Sequence, residues 1–133
     1  MTVSASQADL LARAASARTR AYAPYSEFSV GAAVRCSDGS IVDGCNVENA
    51  SYGLSLCAER TAIVAAIAQG KSGFSELAVV GPHEVTTAPC GACRQFLVEF
   101  NPEMIVVYTT PNGTETTTAA LLLPEFFGPQ TLS

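Results

Sequence analysis

Apolar residues fall into short runs and two longer blocks, and the polar breaks between them are rich in turn residues. Ser6 is read as the cap of a helix from about Gln7 to Ala21, which must stop before Pro24. Phe28 to Cys36 and Ile41 to Val47 read as strands, and the Ser37-Asp38-Gly39-Ser40 break between them signals a hairpin. Cys57 to Gln69 reads as a helix stopped by Gly70. Beyond Thr61 that helix is apolar on nearly every face, which predicts burial on most sides. Leu77 to Val80 reads as a buried strand and Cys90 to Phe100 as a helix ended before Pro102. Met104 to Thr109 reads as a further strand, and Thr117 to Leu123 as a last short helix stopped by Pro124.

A hairpin followed by helix, strand, helix and strand predicts an α/β layered domain with helices on both faces of the sheet. Helical crossovers between the later strands call for parallel pairing there. No internal repeat or linker breaks the pattern, so residues 1–133 read as one domain.

Composition narrows the function. The chain is 48% hydrophobic but only 14% charged, against roughly 25% charged in a typical soluble domain. That shortfall points to surface covered by other copies of the chain; the alternative is a monomer with a polar, uncharged surface. The formal net charge is -5, and seven basic residues are scattered singly. Nucleic acid is therefore not an expected partner, because neutralising phosphates needs clustered Lys and Arg. The longest apolar run, Ala62 to Ala68, is too short for a membrane span, and no signal-peptide pattern opens the chain. A cytoplasmic setting is expected, in which the five cysteines bind metal or stay reduced.

Cys57-Ala58-Glu59 and Pro89-Cys90-Gly91-Ala92-Cys93 carry the candidate chemistry. Cys57, Cys90 and Cys93 can close three corners of a tetrahedral zinc site and leave the fourth to water, as in catalytic zinc sites. Both segments fall at helix starts, where free N–H groups and the helix dipole favour thiolate. Three thiolates and one Zn²⁺ sum to a net negative charge, which weakens the metal as a Lewis acid. Arg60 and Arg94 lie at same-face spacing from Cys57 and Cys90 and are candidate donors that draw charge from the sulfurs. Otherwise they are ordinary solvated arginines. Glu59 can move protons without being a ligand; alone, it would more simply be a first-turn Glu that stabilises a helix start. A C-x-x-C pair by itself also suits a structural zinc knuckle or a redox pair. Cys36 or Cys45 would have to supply a fourth ligand, but both sit in apolar strand patterns typical of inert cysteines. The lone histidine, His83, reads as a loop residue without a role.

A Cys-x-Glu element followed by P-C-x-x-C is the constellation of zinc-dependent nucleobase deaminases. Together with Arg60, Arg94 and Gln95 it resembles the small, homotetrameric cytidine deaminases. Four further stretches are similar to that family: Pro24 to Ala33, Gly44 to Tyr52, Gly81-Pro82, and Leu122 to Pro129. The resemblance implies a mixed sheet of about five strands with helices on both faces, and one zinc ion per chain held by Cys57, Cys90 and Cys93. It implies hydrolysis of cytidine or 2′-deoxycytidine to uridine or deoxyuridine and ammonia. Glu59 would pass a proton from the attacking water to ring atom N3 and then to the departing amino group. Asn46 and Glu48 would bind ribose hydroxyls, and their spacing agrees, since residues two apart on an extended segment point the same way. Phe28 would line the base pocket and the Ala58 backbone would meet the pyrimidine edge. Phe127 would cover the base in a neighbouring subunit of a homotetramer, with Phe126 as its rival. Two other readings stay open: a deaminase of another cytosine nucleoside such as blasticidin S, and a non-catalytic module stabilised by zinc.

Overall fold

A computed structural model describes residues 3–133. Ser4, not Ser6, caps the first helix, α1 (Ala5–Arg18). Ser4 Oγ accepts from Gln7 N while Gln7 Oε1 accepts from Ser4 N, a reciprocal box, whereas the Ser6 hydroxyl donates to Glu76 Oε1. The helix also ends earlier than its apolar pattern, because Thr19, Arg20 and Ala21 close tighter turns onto Ser16, Ala17 and Arg18.

The predicted hairpin is present as β1 (Gly31–Arg35) and β2 (Ile41–Cys45). Gly39 takes φ 85° at its tip, and Asp38 accepts from Ser40 N, the side-chain turn chemistry that Asp favours. Next come a 3₁₀ turn at Tyr52–Leu54, α2 (Ala58–Ala68), β3 (Glu76–Val80), α3 (Gly91–Phe100) and β4 (Ile105–Thr110). β5 (Gly113–Thr118), α4 (Ala119–Leu122) and α5 (Pro129–Leu132) complete the described chain. The sheet order is β2-β1-β3-β4-β5. Only the β3–β4 pair, joined by the α3 crossover, is parallel; the other neighbours are antiparallel.

Alternation along the strands divides the core in two. Ala33, Ala78 and Val107 face α1 through Leu10 and Ala14. Ala32, Val34, Leu77, Val79 and Val106 face the opposite layer, where Ile63 of α2 and Leu97 of α3 pack. Helices thus cover both faces of a mixed five-stranded sheet, as expected. The start of the last predicted helix is instead the end of β5, and Thr118 caps α4 by accepting from Leu121 N. α2 departs from expectation as well. It buries Ala58, Glu59, Ala62, Ile63 and Ala66, but Val64 and Ile67 lie open because the sheet covers only one side of the helix.

Two close approaches seat the helices. A Cβ on Gly31 would stand 1.9 Å from Ala14 O, and one on Gly44 would stand 2.5 Å from Ala62 N. Glycine at these positions lets α1 and α2 lie directly on the hairpin. Thr61 Oγ1 then donates to Cys45 O at 2.7 Å, fixing the first turn of α2 to the end of β2.

Candidate active site

α2 and α3 point their N-termini at the same place. Cys57 is the N-cap of α2 and Cys90 the N-cap of α3, and neither sulfur is used in a capping hydrogen bond. Cys93 lies in the first turn of α3 and is fully buried. The three Sγ atoms lie within 4.8 Å of one another, with Cys57 and Cys90 at 3.8 Å. Zn–S bonds of about 2.3 Å in a tetrahedron separate sulfurs by about 3.8 Å. The donor set is soft, which suits zinc, so the cluster is positioned to hold one metal ion. Neither Cys36 nor Cys45 belongs to it among the described residues.

The electrostatics agree with a thiolate centre. A hydrogen bond from Cys93 draws the Cys57 thiol down to about 5, with Arg60 acting in the same direction. That same bond, with burial behind it, pushes the Cys93 thiol up. Arg60 Nη2 donates to Cys57 Sγ at 3.5 Å, as its helical spacing predicts. Arg94 does otherwise: it donates to Pro89 O at 2.7 Å and to Leu122 O at 3.0 Å. It therefore ties the segment before Cys90 to α4, and backbone carbonyls rather than sulfur take its protons.

Glu59, one residue into α2, is only 4% exposed. Burial pushes its carboxyl up to about 7, against donation from its own backbone N–H, and negative charge at Cys57 adds to the rise. It borders a cavity of about 380 Å³ that also touches Cys57, Ala58 and Cys90. Phe28, Asn46 and Glu48 line other walls of that cavity. Residues from the hairpin edge, α2 and the loop before α3 thus converge on one space.

Asn46 and Glu48 do more here than their spacing suggests. Asn46 Oδ1 accepts from Val30 N at 2.9 Å and Nδ2 donates to Phe28 O at 2.8 Å. Asn46 N also donates to Val30 O, so beyond Gly31 the Asn46 side chain takes over only the Val30 N–H and Phe28 O groups, and β1 is counted from Gly31 rather than Phe28. Glu48 accepts from Tyr25 N, Ser26 N and Ser26 Oγ. Those bonds, led by the Ser26 hydroxyl, hold its carboxyl below the usual range. A second, open cavity of about 300 Å³ shares Ser26 and Glu48 and is also lined by Tyr25, Tyr52 and Ser55.

Ser26, Val30, Thr87 and Ala88 line the main cavity without having been singled out in the sequence. Thr87 is buried, its hydroxyl lacks a partner, and it packs against Gly81. Its place just before Ala88-Pro89-Cys90 was the available signal. Phe127 is absent from its own chain's cavity and 59% exposed, whereas Phe126 packs on the core. Gln95 Nε2 donates to Phe127 O at 2.6 Å and anchors that segment on α3.

Residues 4–109 match the family model of the cytidine and deoxycytidylate deaminase zinc-binding region. The chain belongs to this deaminase family. It is 48% identical to a cytidine deaminase of Sporosarcina psychrophila over 93% of each chain. Among solved structures, a cytidine deaminase from Burkholderia pseudomallei superposes with a TM-score of 0.86 at 47% identity, covering 96% of this chain and all of that one. The cytidine deaminase of Mycobacterium tuberculosis gives a TM-score of 0.78 at 41% identity, covering 91% of this chain and 96% of that one. The family's zinc-binding region spans the three thiols that the fold gathers.

Proposed function

We propose that this chain hydrolyses cytidine and 2′-deoxycytidine to uridine and 2′-deoxyuridine with release of ammonia. The observation that carries this reading is one cavity lined by Cys57 and Cys90 of the three-thiol cluster and by buried Glu59, with Asn46 and Glu48 in its other walls. Cys57, Cys90 and Cys93 would hold one zinc ion, which when bound supplies the acidity that makes water a nucleophile near neutral pH. Glu59 accepts the proton that the attacking water loses and delivers it to N3 as C4 becomes tetrahedral. It then takes the proton of the new C4 hydroxyl and passes it to the amino group, so that the C4–N bond breaks, C4=O forms and ammonia leaves. Its burial supports this role, since a carboxylate kept from bulk water exchanges protons with the ring rather than with solvent.

Arg60 draws charge from Cys57 Sγ, while Arg94 positions the Cys90 segment from behind. The ring lies against Phe28, with the Ala58 backbone at the pyrimidine edge. For the ribose, Glu48 has about four lone-pair directions, and three donors already occupy it. The remaining direction, with the second N–H of Asn46, suits sugar hydroxyls. No Lys or Arg lines the cavity, in keeping with a neutral nucleoside as substrate.

We read the described chain as one catalytic domain, since both cores share one sheet, and its setting as cytoplasmic, where its free cysteines stay reduced. No helix among the described residues is long and apolar enough to cross a membrane. The assembly proposed is a homotetramer in which Phe127 completes a neighbour's site. The test is a uridine-formation assay on the zinc-loaded chain: uridine and ammonia should appear in equal amounts. No product from either nucleoside would sink the proposal.

A further inference from the structure

Residues 25–30 form a wall of the cavity without belonging to the sheet. Their shape comes from side chains. Glu48 takes the N–H groups of Tyr25 and Ser26, and Asn46 takes Phe28 O and Val30 N. Between them Glu27 adopts φ 57°, a left-handed conformation that a non-glycine residue holds only where its surroundings compel it. One atom joins the two ends of this kink. Ser26 Oγ donates to the Glu48 carboxylate and accepts from Phe28 N at 3.0 Å. The hydroxyl therefore touches the sugar-facing carboxylate and the backbone of the base-facing ring together.

We infer that Ser26 is a positioning residue that sets Phe28 and Glu48 as one unit, so that the base wall and the sugar grip form together. The kinetic consequence rests on the nucleoside deaminase reading; the network itself does not. Without the hydroxyl, Phe28 N–H loses its acceptor and Glu48 loses one of its three donors. The carboxylate can then turn toward solvent, and the left-handed Glu27 loses the bond that joins its two flanks, keeping its own N–H bond to Ala23 O and the Asn46 bonds beyond it. Glu59 and the thiols belong to α2 and α3, across the same cavity, and Ser26 makes no hydrogen bond to them, so substrate binding should suffer more than turnover.

The experiment compares the zinc-loaded wild type with Ser26→Ala and Ser26→Thr by amide hydrogen exchange and by cytidine kinetics. In Ser26→Ala the Phe28 amide should exchange at least about tenfold faster, as a local opening, while Val34 in the sheet keeps its protection. KM for cytidine should rise about tenfold, the size of one charge-assisted hydrogen bond, with kcat changing far less. Ser26→Thr keeps the hydroxyl and should recover most of both effects. An unchanged Phe28 amide, an unchanged KM, or a loss confined to kcat would overturn the inference. Loss of zinc or of Val34 protection in Ser26→Ala would assign Ser26 to general stability and overturn it too. A wild type that forms no uridine would defeat the deaminase reading, and the exchange measurements would still decide the network.

Discussion

Glu59 and Thr87 are the only buried polar side chains among the described residues, and both border the cavity. Folding leaves a carboxyl in such a place at a cost in hydration, and a proton-carrying role gives that cost a use. Glu59→Gln keeps size and shape but cannot cycle a proton. Zinc content and thermal midpoint should stay near wild type while deamination falls at least about 10³-fold, within reach of one or more lost acid–base steps; near-normal turnover would remove Glu59 from the mechanism. Cys57→Ala, Cys90→Ala and Cys93→Ala should each lose zinc and activity together. Elemental analysis that finds full zinc in all three would refute the ligand set. At this scale the motif residues were legible because metal and acid–base chemistry restricts residue type and spacing. Ser26 and Thr87 were not, since a hydroxyl becomes informative only through what it touches. Arg94 shows the limit of spacing: its helical offset from Cys90 matched a thiolate donor, yet two carbonyls lie closer to its reach.

Among the elements, α2 and the hairpin set the site's precision. Gly44→Ala would push a methyl group against backbone N of Ala62 and Oγ1 of Thr61, each 2.5 Å away. α2 would have to lift, and it carries Cys57, Ala58 and Glu59. Gly31→Ala makes a tighter clash, but with α1 on the opposite face. Each should cost about 1–3 kcal/mol, the usual range for overpacking, read as a lower thermal midpoint. They should differ in the site: Gly44→Ala should also lower zinc affinity and activity, whereas folded Gly31→Ala should retain both. Equal loss of zinc in the two variants would contradict this division of labour. Most elements were legible from apolar periodicity. β5 was not, because Gly113–Thr118 holds no apolar residue; its strand character rests on β-branched threonines and on pairing with β4, which no local pattern reveals.

For the molecule as a whole, the open apolar surface asks for a second copy. Val64 and Ile67 of α2, Leu121 and Phe127 are exposed in the single chain, and the charged fraction of 14% is low beside the roughly 25% of a typical soluble domain. Light scattering should find a tetramer. Phe127→Ala should raise KM for cytidine with zinc content unchanged, by the equivalent of about 1–3 kcal/mol for lost base stacking, by analogy with single-stranded nucleic acid sites. Phe126→Ala should mainly lower stability, because that ring packs on its own core. A monomer with full activity at assay concentration would overturn this reading of the C-terminal segment.

The sequence alone determined the layered α/β class, the three thiols, Glu59 and the family, because hydrophobic periodicity and metal chemistry are written locally in residue type and spacing. Tertiary structure alone decided that Asn46 and Glu48 also shape the Phe28 wall, that Arg94 serves carbonyls, and that Phe127 rather than Phe126 stands free. Each of those depends on which groups from distant segments come within hydrogen-bonding or packing distance, and only the folded chain settles those distances.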